Sequence, residues 1–85
     1  MDKELGRVIH YFDKAMVAVI HLTDKIAVGD TVKFVYGDNE FTQSVESMEV
    51  EHEKIQSAKK NEEVAIKVDQ KTHEGARVYR VGQII

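Results

Sequence analysis

Apolar and polar residues alternate along most of this chain, and this two-residue period constrains its fold more than any other feature. Every second residue is apolar from Met16 to Leu22, and again from Val64 to Val68. Successive side chains of an extended strand point to opposite faces, so such a pattern gives a strand one apolar face. The period therefore predicts β-strands rather than amphipathic helices.

Short turn signals divide the chain into segments of strand length. They lie at residues 13–14, 28–30, 37–40 and 74–75, and three of the four contain glycine. The predicted strands cover residues 5–12, 15–22, 31–36, 41–50, 64–68 and 76–81. Short strands separated by turns are typical of small barrels. We therefore predict an all-β fold, a small closed antiparallel β-barrel of six to seven strands.

The chain is short enough to form one domain. We expect a single β-barrel domain over residues 1–85, with its core in residues 5–81 and a tail at residues 82–85.

Side-chain parity assigns the barrel interior. The side chains predicted to face it are Ile20, Leu22, Val32, Phe34, Val64, Ile66 and Val68, with Tyr36 on the same parity as Phe34. Val17 and Val19 have the opposite parity, so they are expected outside, under a loop or in a contact patch.

Two segments depart from simple alternation. In residues 41–50 the apolar parity changes between Val45 and Met48, which predicts a β-bulge near Glu46-Ser47. Residues 51–61 are mostly polar, and we expect an irregular connection with one helical turn in which Ile55 plugs the end of the barrel.

Composition limits the partners and the compartment. Fifteen acidic and twelve basic residues give a formal net charge of −3, which disfavours recruitment of nucleic acid by the field of the whole domain. The absence of cysteine excludes disulfides and suits a reducing compartment. No apolar run reaches membrane-spanning length and no signal peptide is expected, so we predict a cytoplasmic protein without a membrane partner.

The sequence favours no catalytic chemistry. It has no GxxxxGK[ST] loop, so neither GTP binding nor GTP hydrolysis is expected. No serine or cysteine accompanies a histidine as a nucleophile and base would, and we predict no catalytic residue and no cofactor. Glu49, Glu51 and Glu53 would follow each other at ~6.7 Å along one strand face, a spacing too open for a metal site.

The segment VESMEVEHEKIQSA, residues 45–58, resembles the second domain, a small β-barrel, of tRNA-carrying elongation factors among the translation-factor GTPases. The places that match are Ser47, Glu49, His52, Glu53 and Ala58, preceded by the turn at residues 28–30. Lys60-Asn61-Glu62 stands where that family has Pro-Gly-Asp.

This resemblance implies a binding module for RNA ends or a ribonucleoprotein. Glu49 would lie against a terminal adenosine, and Lys33 or Arg7 would meet phosphate. Tyr36 and His52 complete the predicted ligand-binding set.

A second resemblance is to the C-terminal barrel of collagenase-like peptidases. It lies in the turn at residues 28–30, in Phe41-Thr42, in Val45-Glu46 and in residues 66–70. The alternative it implies is a protein–protein docking domain whose partner is a separate catalytic chain, met through Val17 and Val19.

Overall fold

The computed structural model of the chain describes residues 3–81. These residues form ten strands: β1 (Lys3–Phe12), β2 (Val17–Leu22), β3 (Ile26–Ala27), β4 (Thr31–Tyr36), β5 (Asn39–Ser44), β6 (Met48–Val50), β7 (Glu53–Ile55), β8 (Ser57–Ala58), β9 (Glu63–Lys67) and β10 (Arg77–Arg80). The described residues contain no helix, so none of their elements is a helix that could span a membrane. The all-β prediction is confirmed, whereas the expected tail at residues 82–85 lies outside the described residues.

Eight of the strands form one sheet, in the order β5-β4-β10-β1-β2-β9-β6-β7, and β3 pairs with β8 in a separate two-stranded sheet. All the pairs are antiparallel. The end strands β5 and β7 each have one neighbour, so the predicted closed barrel is wrong and the sheet is open. The predicted six to seven strands are also too few.

The open sheet is nevertheless strongly curled. Residues 45–47 connect β5, at one end of the strand order, with β6, near the other end. Four Cα steps from Ser44 to Met48 reach at most about 14 Å. The ends of the sheet must therefore lie close together, although no backbone ladder joins them.

The parity change between Val45 and Met48 has a different cause from the one predicted. The segment divides into β5, which pairs with β4, and β6, which pairs with β9. Val45 and Met48 are both 1% exposed, so both apolar parities reach the core. A bulge at Glu46-Ser47 is not needed, because the two halves belong to different ladders.

The predicted helical turn in residues 51–61 is wrong. That segment contributes β7, which forms a hairpin with β6, and β8, which pairs with β3. Ile55 is paired with Met48 across the hairpin and packs against the edge of the core. The polar composition of the segment reflects its exposed strands.

The core lies on the concave side of the curled sheet. All seven side chains predicted to face the interior are buried, at 2% exposure or less. The predicted inward orientation of Tyr36 is wrong, since its side chain is 44% exposed. Tyr36 is the last residue of β4, and its ring packs against His73, 4.7 Å away between centroids, instead of entering the core.

Candidate functional site

The outer face of β1, β2, β9 and β6 carries apolar side chains that the core does not bury. The cross-strand register places His10 opposite Val19, Val19 opposite Ala65, and Ala65 opposite Glu49. Two residues along the strands, and on the same face, Phe12 is opposite Val17. Because these strands turn their other apolar set inward, the outward row is left without a covering layer.

These side chains form the floor of an open groove with a volume of about 690 Å³. We call it the outer groove; its floor is made by Phe12, Val17, Val19, Val50 and Ala65. Phe12 is 55% exposed, the most exposed large hydrophobic side chain in residues 3–81. Val17, Val19, Val50 and Ala65 are half-buried, so together with Phe12 they leave a partly exposed apolar surface of the kind that is typical of interaction sites.

The rim of the outer groove is acidic. Glu49, Glu51, Glu62 and Glu63 line it together with His52, and among the described residues no lysine or arginine does so. The Glu62 carboxylate accepts a hydrogen bond from the backbone N–H of Lys59 at 2.6 Å. Glu63 Oε2 lies 3.6 Å from His21 Nδ1. The carboxylates of Glu49 and Glu51 make no salt bridge within residues 3–81.

A backbone of unusual conformation holds one side of this rim. Glu51 and His52 are the two residues of the tight turn between β6 and β7, with φ values of +52° and +69°. Two positive φ values are typical of the type I′ hairpin turn, which favours Asn-Gly. The Glu-His pair therefore carries backbone strain, and both of its side chains lie at the groove.

Two of the five predicted ligand-binding residues come together in the outer groove. Glu49 is on β6 and His52 is at the tip of the adjacent hairpin, and both line the rim. The structure thus groups them as expected, while their binding role stays a prediction.

The other three predicted residues lie elsewhere. Lys33 is on β4, five positions from β6 in the strand order, with its Nζ 5.9 Å from the centroid of the Tyr79 ring. Arg7 is paired with Arg77 and His21 on neighbouring strands. Tyr36 lines a smaller cavity of about 190 Å³ beside His73. None of these three side chains lines the outer groove.

Several residues of the groove were not identified from the sequence. Ala65, Glu62 and Glu63 join Val17 and Val19 only through the pairing of β2 and β9. In the sequence, only the position of Ala65 between the inward-facing Val64 and Ile66 indicated that its side chain faces outward. Without the order of strands, that signal cannot say which side chains are neighbours.

A separate charged cluster lies around Arg80. Its guanidinium donates to the backbone carbonyl of Lys25 and lies 3.7 Å from carboxylate oxygens of Asp24 and Asp30. The backbone N–H of Lys25, followed by the Lys3 ammonium, holds the pKa of Asp24 below its ordinary value. These ion pairs join the loops that carry Asp24 and Asp30 to strands β1 and β10.

Comparisons with known proteins agree with this architecture. Residues 4–77 match the family described as the Peptidase family U32 C-terminal domain. The chain is also 34% identical over 83 residues to an uncharacterized protease of Methanocaldococcus jannaschii. The match covers 96% of this chain and 20% of that relative, so the chain spans about a fifth of the relative's length.

Two crystal structures have the same fold. Both are of the C-terminal domain of a Geobacillus thermoleovorans protein assigned to the U32 peptidases. One has a TM-score of 0.88, 20% identity and coverage of 94% of this chain and 93% of its own. The other, a selenomethionine variant, has a TM-score of 0.86, 21% identity and coverage of 92% and 99%.

These matches support the resemblance to the C-terminal barrel of collagenase-like peptidases. They give no support to the resemblance to domain 2 of the translation-factor GTPases. The matched residues include nearly all of the large sheet and the hairpin that forms the groove rim. The chain belongs to the family of U32 peptidase C-terminal domains.

Proposed function

We propose that this chain is a non-catalytic docking module that binds a separate catalytic chain of the U32 peptidase type. The proposal is carried by one combination: the chain matches a domain-sized part of a longer protease, and one face of its sheet is apolar and uncovered. The chain corresponds to only 20% of the Methanocaldococcus jannaschii protease. The uncovered apolar face is the surface through which we propose that the domain meets a catalytic region.

The outer groove supplies that surface. An antiparallel sheet with one face on the core normally presents polar side chains on its other face. Here the outer face presents Phe12, Val17, Val19 and Ala65 among polar side chains such as Glu49 and Glu63. Burying such a row against a partner would remove apolar area from water, which is the main favourable term in most protein association.

Binding of RNA ends, the other hypothesis from the sequence, is less compatible with this surface. Nucleic-acid affinity depends largely on lysine and arginine meeting phosphate. Glu49 lies in a rim that is acidic, and neither Arg7 nor Lys33 lines it. Phosphate approaching Glu49 would be repelled, so we favour a protein partner.

The proposal is tested by titrating the purified chain with a purified U32 catalytic chain from the same organism, using calorimetry. We expect saturable binding, and we expect Phe12→Ser to raise the Kd at least tenfold. A tenfold change in Kd corresponds to about 1.4 kcal/mol, which is typical of the loss of an aromatic anchor from an interface. Tyr36→Ser is the matched control, because Tyr36 is the other large hydrophobic side chain exposed in residues 3–81. Absence of binding, or equal loss in both variants, would contradict the proposal.

The non-catalytic part of the proposal has its own test. The purified chain alone should not hydrolyse a mixture of denatured collagen and short peptides. No pair of described side chains places a nucleophile beside a base within the groove, whose lining offers carboxylates and one histidine. Hydrolysis that persists through repurification and tracks with this chain would make it an enzyme.

A further inference from the structure

The rim charges of the outer groove indicate what kind of segment it accepts. We propose that the groove binds an extended basic segment of the partner, in which lysine or arginine alternates with apolar side chains. This inference rests on the proposed docking function and specifies the chemistry of the docked segment.

Electrostatic complementarity favours a cationic occupant. Four carboxylates line the groove, at Glu49, Glu51, Glu62 and Glu63, and no lysine or arginine among the described residues does. Like-charge contacts across an interface are costly, whereas opposite charges steer encounter and fix orientation. An acidic or neutral apolar segment would cover the floor but leave these carboxylates without a partner.

Within residues 3–81, only one cationic or titratable side chain forms an ion pair with a rim carboxylate. Lys54 is opposite Glu49 across the β6–β7 hairpin, and Lys67 is opposite Val17, yet neither lines the groove. His21 lies 3.6 Å from Glu63, the only rim carboxylate within residues 3–81 that has a salt-bridge partner. Glu49 and Glu51, on the β6 side, therefore remain available to a cation from outside.

The dimensions of the groove suit a short extended peptide. Its lining runs from Phe12 on β1 across β2 and β9 to Glu49 on β6, three strand spacings or about 14 Å. An extended chain advances about 3.3 Å per residue, so four or five residues cross the groove. Alternate side chains would face the apolar floor, while the long aliphatic stems of lysine or arginine could reach the carboxylates at the rim.

The test uses two synthetic hexapeptides, one alternating lysine with leucine and the other alternating glutamate with leucine. Each is titrated into the intact chain by calorimetry at low and at high salt. We expect the lysine peptide to bind and the glutamate peptide not to bind. Binding should weaken as salt rises, because screening shortens the Debye length from about 10 Å at 0.1 M to about 3 Å at 1 M.

Charge-matched variants locate the site. In Glu49→Gln/Glu51→Gln each lost carboxylate should raise the Kd for the lysine peptide by about two- to fivefold, the range for exposed ion pairs. The control Glu40→Gln/Glu46→Gln removes the same charge at two exposed positions outside the groove and should leave the Kd unchanged. Circular dichroism on both variants verifies that they fold.

The possible results distinguish a failure of this inference from a failure of the docking function. Equal binding of both peptides, or equal weakening by both double variants, would overturn it. If a catalytic chain binds through Phe12 but the lysine peptide does not bind, the inference fails and the docking function stands. If the lysine peptide binds at Glu49 and Glu51 but no catalytic chain binds, the docking function fails.

Discussion

Gln43 and Asp69 join two parts of the curled sheet that no backbone ladder connects. Gln43 Oε1 accepts a hydrogen bond from the backbone N–H of Asp69 at 2.8 Å. Its Nε2 donates to the backbone carbonyl of Lys67 at 3.0 Å. The side chain is 7% exposed, and it links β5, at one end of the strand order, to the chain that leaves β9. One side-chain amide thus joins two strands that share no backbone ladder.

Gln43→Leu should therefore destabilise the protein. The leucine keeps a similar size but removes the hydrogen bonds to the Asp69 N–H and the Lys67 carbonyl, each of which contributes about 0.5–1.5 kcal/mol to stability. Urea unfolding measures the change. Gln70→Leu, at an exposed neighbouring position, is the control. Equal stability of the two variants would show that the amide link contributes nothing.

Gly6→Ala tests a close approach of two strands. A Cβ at Gly6 would lie 2.3 Å from the backbone carbonyl oxygen of His21 and 3.0 Å from a methyl group of Ile20. The backbone of β2 would have to move, so we expect a loss of about 1–3 kcal/mol, the usual range for overpacking. Thermal unfolding measures this loss of stability. An unchanged melting temperature would mean that β1 and β2 can move apart with no loss of stability.

Relief of the strained turn at the groove rim should raise the stability of the protein and lower its affinity for a basic peptide. Glu51→Asn/His52→Gly installs the residues that a type I′ turn prefers and should stabilise by about 1–2 kcal/mol. The same variant should bind a basic peptide less tightly, since it removes a rim carboxylate. Chemical denaturation and peptide titration of one preparation measure both effects. A variant that is less stable than the parent would contradict the assignment of strain.

Asp24 predicts a defined dependence on pH. Its pKa in the folded protein is lowered from 3.8, chiefly by the Lys25 N–H and then by the Lys3 ammonium. A lowered folded-state pKa gives stability that is present above the unfolded-state pKa and is lost as pH falls through the folded value. Asp24→Asn should thus have a lower free energy of unfolding than the parent at pH 7, and this difference in stability should become smaller below about pH 4. Urea unfolding of both proteins across this pH range measures it; a stability difference that stays constant down to pH 2 would contradict the prediction.

The sequence predicts the interior better than it predicts the topology. Parity alone identified buried side chains such as Ile20, Phe34 and Ile66, because burial of alternate residues is a local property of a strand. Tyr36 was misplaced because parity does not tell where a strand leaves the core. Closure was misjudged because the strand order, and the role of Gln43 in joining the sheet, depend on residues far apart in the chain.

The candidate site was predicted in part for the same reason. From their parity, Val17 and Val19 were expected on the outer face, under a loop or in a contact patch. Glu49 and His52 were identified from a motif. Their convergence with Phe12 and Ala65 follows from the order β1-β2-β9-β6, which no local pattern shows. The resemblance to the elongation factors also implied a role for Lys33, which lies on the distant strand β4.

The proposed contact between the outer groove and a catalytic partner is tested most directly by cross-saturation NMR on the labelled chain bound to an unlabelled U32 catalytic chain. We expect intensity losses to cluster at Phe12, Val17, Val19, Glu49 and Ala65. Losses confined to Tyr36 and His73 or to the Arg80 cluster, or no losses at saturating partner, would contradict the account.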